Sequence, residues 1–364
     1  YLDSAIRKKA EFDAWYAALS KTERKKYDFE VKEKIKKHIA DSVLNVKDSL
    51  KAHRDSVKEA TPRILETFAF PDSLQYKRII QWTHEREFHK MDVKQPDTSY
   101  NHWLHDYPFY RKDVNATWLG VAGSALQYYN WFNRTSENGV SFYNPYESWT
   151  YSTKTLPMYN TKTPYTELAY FGTIFANAQK ESDNLHILTT QNIFPELNFT
   201  LEYDRFGGNG IMQGEKTTNK TFVTSVNYLG KRYMMHTGYI HNKVIRKENG
   251  GTSDNSMVRD TTLDAREYPI NLNNASTDLI RNTFFLDQQY RIPFTFIRNI
   301  KDRKIDKAFK DSLLASGDTA RIDSLDVFLA RRRAAREAAD TLGDNNITTA
   351  FIGHSSEYSV FRKT

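Results

Sequence analysis

The chain has 364 residues, with 52 Lys and Arg against 45 Asp and Glu and a formal net charge of +7, and it contains no Cys. The absence of Cys excludes disulfide scaffolds, thiolate metal sites and cysteine nucleophiles. A mean hydropathy of −0.70 and the lack of a long apolar run exclude a transmembrane helix. Aromatic residues nevertheless make up 14% of the chain, a surplus that is typical of transmembrane β-barrels with their aromatic belts.

Residues 1–62 are highly charged and predict a long helix that starts near Lys21. Its apolar residues recur at steps of three, four and seven, which places them on one helical stripe: Val31, Ile35, Ile39, Val43, Val46, Leu50 and Val57. Thr61-Pro62 ends the pattern, since proline cannot continue the helical hydrogen bonds. A heptad seam favours a partner helix or a docking groove, so Val43, Leu50 and Val57 are predicted docking residues. A solvated charged helix or tether is the alternative, and the interspersed acids argue against nucleic acid.

Residues 63–160 change character, because aromatic residues crowd a stretch that has few clean periods. Four prolines, at positions 71, 96, 108 and 145, divide it into short pieces. The sequence predicts an irregular, aromatic-packed segment that leads to the barrel, with one or two short strands around residues 118–126.

Residues 161–293 show the period of two that is typical of β-strands with two different faces. The clearest strand is 196–206, whose length matches the roughly 9–11 residues that a tilted strand needs to cross a bilayer. Its predicted lipid-facing residues are Leu197, Phe199, Leu201 and Tyr203. Its predicted lumen-facing residues are Asn198, Thr200, Glu202 and Asp204.

The connections between these strands alternate between short and long. Tight turns are predicted at Phe194-Pro195 and Gly230-Lys231, and long loops at 206–220 and 246–279. Short turns on one side and long loops on the other are the asymmetry of an outer-membrane barrel, with the short turns in the periplasm. A soluble β-sandwich or adhesive β-domain is the alternative that the pattern leaves open.

The end of the chain completes the predicted architecture. Residues 294–347 are expected to form a helical periplasmic insertion, and residues 348–364 a further strand, which makes roughly seven. Because an open sheet edge is not tolerated in lipid, the closing strands are expected beyond Thr364. The predicted fold class is therefore an all-β transmembrane barrel, antiparallel and up-and-down. Only its N-terminal part is expected here, together with an N-terminal charged helical segment and the helical insertion.

Signatures of enzymes and of metal sites are thin. His102 and His105 with Asp106 would place two nitrogens close together, but no supporting third ligand is in sight, so a structural role is expected. The sequence predicts no catalytic residue, no cofactor and no metal.

Four segments of the chain resemble the landmarks of a known family. They are Leu119-Gly120-Val121-Ala122-Gly123-Ser124-Ala125, Tyr159-Asn160-Thr161-Lys162-Thr163-Pro164-Tyr165-Thr166-Glu167-Leu168, Leu188-Thr189-Thr190-Gln191-Asn192-Ile193 and Lys247-Glu248-Asn249-Gly250-Gly251. In this order they resemble the "putative porin" outer-membrane β-barrel proteins of Bacteroidota, between about residues 60 and 293. The resemblance implies a place in the outer membrane of a Gram-negative bacterium and a longer full chain. It carries over no functional residues.

Two functions fit these expectations. The first is a porin-type barrel that passes small polar solutes. The second is a non-channel structural or scaffold subunit of an outer-membrane complex, such as the β-barrel assembly machinery or a secretion complex. Its expected partners are outer-membrane lipid and outer-membrane proteins or lipoproteins, contacted through periplasmic helices and extracellular loops.

Overall fold

The fold is described from a computed structural model of the chain. It describes residues 2–67, 77–85, 90–96, 116–134, 140–172, 182–259, 262–315, 328–329, 331–332, 335 and 348–364. The chain divides into two compact units, of which the first comprises residues 1–62 and 292–350 and the second residues 63–291 and 351–364. No helix in the described part of the chain is long and apolar enough to cross a membrane.

The first unit is helical. Helix α1 is Leu2–Ala18 and helix α2 is Lys21–Ala60, so α2 starts at Lys21 and stops directly before Thr61-Pro62, as the sequence predicts. Ser20 and Glu23 form a capping box at the start of α2, because the Ser20 amide and hydroxyl donate to the Glu23 carboxylate at 3.0 and 2.7 Å.

Aromatic rings hold the two helices of this hairpin together. The Trp15 and Tyr27 rings meet edge to face at 5.1 Å, and the Phe12 ring lies 6.1 Å from Tyr27. A third helix, α3, is Phe294–Ala315 and lies in the predicted insertion. Its Phe309 ring lies 6.1 Å from that of Phe328.

The second unit is built on β-sheet. Strands β1 (Ile79–Glu85), β2 (Lys90–Lys94) and β5 (Pro157–Thr161) form a three-stranded sheet in the order β2-β1-β5. Strands β3 (Ala116–Trp118) and β4 (Leu126–Tyr128) form a separate antiparallel pair. The sequence predicts one or two short strands around residues 118–126, and the two observed strands lie at the ends of that range, with a turn over residues 119–125. The described residues between these strands are largely irregular, which agrees with the crowded, proline-divided sequence.

Seven strands form the main sheet: β6 (Tyr165–Phe171), β7 (Ser182–Phe194), β8 (Leu197–Asn209), β9 (Lys216–Leu229), β10 (Tyr233–Glu248), β11 (Ala275–Pro293) and β12 (Thr348–Lys363). They lie in chain order, and the pairs from β6 to β11 are antiparallel. The predicted count of roughly seven strands is therefore confirmed for the part of the chain that the structure describes. Within the described residues the sheet is open, with β6 and β12 at its edges.

The short turns on one side of the sheet lie where the sequence predicts them, whereas one predicted long loop on the other side is shorter than expected. Short turns join β7 to β8 and β9 to β10, at the two predicted positions. The predicted loop 206–220 is wrong, since strands β8 and β9 continue through most of it and leave only residues 210–215. Gly207 lies within β8, close to the backbone of β9. A Cβ atom at this position would lie 2.4 Å from the Thr217 carbonyl oxygen, so only glycine allows this approach.

Candidate functional site

One face of the seven-stranded sheet is buried and carries many polar side chains, and we call it the inner face. Residues that alternate along β7 to β11 point to it, as the period of two requires. Its buried polar members are Thr190, Asn198, Thr200, Glu202, Thr217, Asn219, Thr221, Ser225, Asn227, His236, Asn242, Arg281, Thr283, Asp287 and Gln289. A polar face that is buried needs hydrogen-bond partners, because an unsatisfied buried polar group costs about 1–3 kcal/mol.

The predicted lumen-facing residues lie on this inner face. Asn198, Thr200 and Glu202 are buried, and Asp204 is partly exposed. The Asn198 amide donates to Thr190 Oγ1 at 3.1 Å and to Asn192 Oδ1 at 2.8 Å. Their role as the wall of an aqueous lumen stays a prediction.

The predicted lipid-facing residues lie on the opposite side, which we call the outer face. Leu197, Phe199, Leu201 and Tyr203 are all partly exposed there. More strongly exposed apolar side chains accompany them on other strands of the sheet, among them Leu168, Ile187, Phe222 and Phe284. Contact with lipid stays a prediction.

The predicted docking residues lie on helix α2. Val43 is partly buried, whereas for Leu50 and Val57 only the helical backbone is described. Their docking role stays a prediction. His102, His105 and Asp106 lie outside the described residues.

Sequence reasoning missed what lies against the inner face. The described residues between 79 and 161, which we call the cover, pack on it. At the beginning of β9, Thr217 Oγ1 donates to the Ala122 carbonyl at 2.6 Å, and the Asn219 amide donates to the Gly123 carbonyl at 3.1 Å. Gly123 has φ +92°, and a Cβ atom there would lie 3.0 Å from Thr217 Oγ1, so glycine allows the cover to approach the strand.

Further along the cover, two asparagines of the sheet bind its backbone. The Asn227 amide donates to the Tyr159 carbonyl at 2.9 Å, and the Asn242 amide donates to the Tyr151 carbonyl at 2.9 Å. The Tyr151 hydroxyl donates to the Glu202 carboxylate. The polar residues of the inner face thus bind carbonyl groups of the cover both in irregular stretches, as at Tyr151, and in strand β5, as at Tyr159.

Aromatic residues anchor the cover between these polar contacts. The Trp149 ring stacks on Phe206 with centroids 5.0 Å apart, and its indole N–H donates to the Ser124 carbonyl at 2.6 Å. The Trp82 indole N–H donates to His236 Nε2 at 3.2 Å. The aromatic crowding of residues 63–160 was the available signal for such a packed segment.

Arg281 joins three parts of this unit although its side chain is only 1% exposed. Its guanidinium lies 3.5 Å from Glu147 of the cover and 3.4 Å from Glu357 of β12. It also lies over the Tyr143 ring, at 5.9 Å from the centroid. Burial raises the pKa of Tyr143 to about 12, and its hydroxyl donates to Thr150 Oγ1 at 3.0 Å, so it stays neutral beside the cation.

One cluster on the inner face has the donor atoms of a metal site. His186 Nδ1 pairs with the Asp204 carboxylate and lies 3.9 Å from Glu202 Oε1. Imidazole and carboxylate donors suit several divalent metals, but His186 and Asp204 already pair directly with each other. The prediction of no metal stays a prediction.

Comparisons with known proteins agree with this architecture. No curated protein and no solved structure matches the chain. A family model described as "Putative porin" matches residues 78–359 of the 364, a range that includes both the cover and strands β6 to β11. The chain belongs to the putative porin family.

Proposed function

We propose that the chain forms part of an outer-membrane β-barrel that passes small polar solutes. The family suggests an outer-membrane, porin-like role, and it implies a channel-type protein rather than an enzyme. The observation that carries the proposal is the contrast between the two faces of the same strands. One face presents exposed apolar side chains, and the other carries many buried polar side chains around an apolar cluster that includes Val223, Ile240 and Phe285. This difference resembles that between the lipid-facing side and the interior of a barrel wall.

The outer face has the dimensions of a lipid-facing band. Tyr228, Tyr233 and Tyr290 lie near its short-turn end, where Tyr233 is directly opposite Tyr290 and the Tyr228 and Tyr233 rings are 5.9 Å apart. Along β9 the outward positions then run from Tyr228 to Phe222 before the first cation, Lys220. Counted from Tyr228 through Lys220, this span is nine residues, which is the lower end of the roughly 9–11 residues of a membrane-crossing strand. Tyrosines at its end are typical of an interfacial aromatic girdle.

The cover constrains how a solute would pass. It occupies the inner face along β9 and β10 through Asn219, Asn227 and Asn242, so passage requires a path beside it or its displacement. This same observation favours a second candidate function. A barrel whose inner face is bound by its own chain could serve as a scaffold subunit of an outer-membrane complex, with α2 and α3 on the periplasmic side as contact surfaces.

Planar-bilayer conductance of the full-length protein separates the two functions. The key variant is Asn219→Ala/Asn227→Ala/Asn242→Ala, which removes three side-chain donors to the cover. A porin shows ion current in the wild type or a larger, more frequent current in the variant. A scaffold shows no current in either protein.

A matched control is Asn282→Ala, because Asn282 lies on the outer face and accepts from Tyr239 at 3.1 Å without touching the cover. Its conductance should equal that of the wild type. Absence of current in all three proteins, together with stable co-purification of other outer-membrane proteins, would overturn the porin proposal in favour of the scaffold.

A further inference from the structure

Cations are concentrated on the outer face beyond the apolar band. Arg205 of β8, Lys220 of β9 and Lys243 of β10 lie in one row across three strands, and Lys216 and Lys247 lie in a second row, four residues further along β9 and β10. We call these five residues the basic rim. All five alternate with inner-face residues such as Asn219 and Asn242, which places them on the outer side.

The register sets like charges directly against each other. Arg205 is opposite Lys220, Lys220 is opposite Lys243, and Lys216 is opposite Lys247. Neighbouring strands are only about 4.8 Å apart, and like charges directly opposite destabilise a sheet. An arrangement with three such pairs favours an anion that lies across the strands.

The acidic groups at this level do not balance the rim. Among the described residues of β7 to β11, the outward carboxylates beside it are Asp278, whose Oδ2 lies 3.3 Å from Lys243 Nζ, and Asp183, which accepts from the Tyr170 hydroxyl at 3.0 Å. Five cations against two carboxylates leave a formal charge of +3 on this part of the surface. The excess charge points to a ligand with one or more negative groups.

The position of the rim indicates the source of that ligand. It lies at the ends of the strands away from the short turns, next to the connections 210–215 and 249–274. Directly below it on the same face are the exposed rings of Phe222, Tyr239 and Phe284. Cations that follow an exposed apolar band match the order of headgroup and acyl chain in a lipid leaflet.

We propose that the basic rim binds the anionic, phosphate-bearing headgroups of membrane lipids. The proposal rests on the proposed function, since it requires the outer face to meet lipid. Arg205 can hold a phosphate through two parallel N–H···O bonds, and the lysines add charge-assisted hydrogen bonds. One headgroup across Arg205, Lys220 and Lys243 would relieve two of the three like-charge pairs.

The test measures lipid retention by the full-length protein in dodecyl maltoside micelles. Phosphatidylglycerol or phosphatidylcholine is added, free lipid is removed by gel filtration, and bound lipid is counted by mass spectrometry. The wild type should retain phosphatidylglycerol in preference to phosphatidylcholine, whose phosphate is neutralised by choline. In Lys220→Gln/Lys243→Gln the affinity for phosphatidylglycerol should fall about fivefold for each cation removed.

The matched control is Lys77→Gln/Lys94→Gln, which removes the same charge from two exposed positions outside the rim and should retain phosphatidylglycerol as the wild type does. Should the Lys220 and Lys243 double variant fail to fold, the exposed Arg205→Gln replaces it. Equal retention of the two lipids by the wild type overturns the proposal. So does displacement of phosphatidylglycerol by inorganic phosphate at equal concentration.

Insertion into phosphatidylcholine vesicles, measured by protease protection, distinguishes failure of the basic-rim proposal from failure of the proposed membrane-spanning barrel. A protein that inserts but shows no preference for phosphatidylglycerol refutes the basic rim alone. A protein that does not insert refutes the membrane-spanning barrel as well.

Discussion

Helix α2 and the seven-stranded sheet both place apolar side chains at regular intervals, yet they bury them to different extents. On the inner face of the sheet, Val223, Ile240 and Phe285 are almost completely buried beneath the cover. On α2, Phe29, Ile35 and Leu44 are more than half exposed, and Val31 and Val43 are only partly buried. Periodicity therefore determines which face is apolar, whereas burial depends on a partner. For the sheet, that partner is an earlier part of the same chain.

The largest effect is expected where the cover is anchored. Trp149→Ala removes the stack on Phe206 and the indole hydrogen bond to Ser124, and the loss of a buried Trp costs about 3–5 kcal/mol of unfolding free energy. Urea unfolding in detergent micelles, followed by circular dichroism, measures it. Trp131→Ala is the control, because Trp131 is 71% exposed and should change stability little. Equal effects of the two substitutions would show that the cover does not stabilise the sheet.

The next effect concerns the outer face and requires lipid. Leu201→Arg places a charge near the middle of the apolar band and should cost about 2–4 kcal/mol in a bilayer, because burial of a cation in hydrocarbon is depth-dependent. Leu197→Arg, close to the short turn, should cost only about 0–1 kcal/mol. Unfolding from phosphatidylcholine vesicles measures both. Indistinguishable costs at the two depths would contradict a lipid-facing wall.

In helix α2 a comparable change should barely affect folding. Val43→Asp lies on a partly exposed stripe, so the free energy of unfolding should change by no more than about 0.5 kcal/mol. If the stripe docks to another protein, the same substitution should reduce co-purification of that protein from outer membranes. Leu44→Asp, at a position 58% exposed, is the matched control. A loss of co-purification that is equal in both variants would count against docking through the Val43 stripe.

The smallest effect is expected at the start of α2. Hydrogen bonds from the Ser20 side chain and backbone lower the pKa of Glu23 below its usual value. Because the folded pKa is depressed, the stabilisation is present above the unfolded pKa of about 4.3 and is lost as the pH falls through the lowered folded pKa. Helicity at the start of α2, followed by amide hydrogen exchange, should decrease over this range. In Ser20→Ala that pH dependence should be weaker, and an unchanged profile would refute the capping role.

The strands could be predicted from the sequence because alternation is a local signal. Between Leu197 and Tyr203, apolar and polar side chains alternate over seven consecutive residues, so both faces of the strand can be recognised locally. The turn at Phe194-Pro195 could be predicted because proline favours turns. The extent of β8 could not be predicted in this way. Gly207 and Gly208 indicate a loop by composition, but the small size of Gly207 serves the close approach of β9.

The cover could not be predicted because its contacts are distant in sequence. Asn242 and Tyr151 are 91 residues apart, and Trp82 and His236 are 154 residues apart. Phe285 illustrates the difference. In the sequence it breaks the polar alternation of β11, whereas in the structure it belongs to the buried cluster that contains Trp82 and Met158. The apolar residue that interrupts the polar alternation of β11 is thus the one that packs against the cover, far away in the sequence.

The order of the cover and the sheet along the chain has a consequence for assembly. Ala122 and Gly123 precede every strand of the main sheet, so a sheet that assembles from its N-terminal strand has the groups that accept from Thr217 and Asn219 available before β9 is added. Each new strand can therefore pair with its neighbour and with the cover in the same step. The sheet can therefore form around the cover, and the cover does not have to enter a sheet that is already complete.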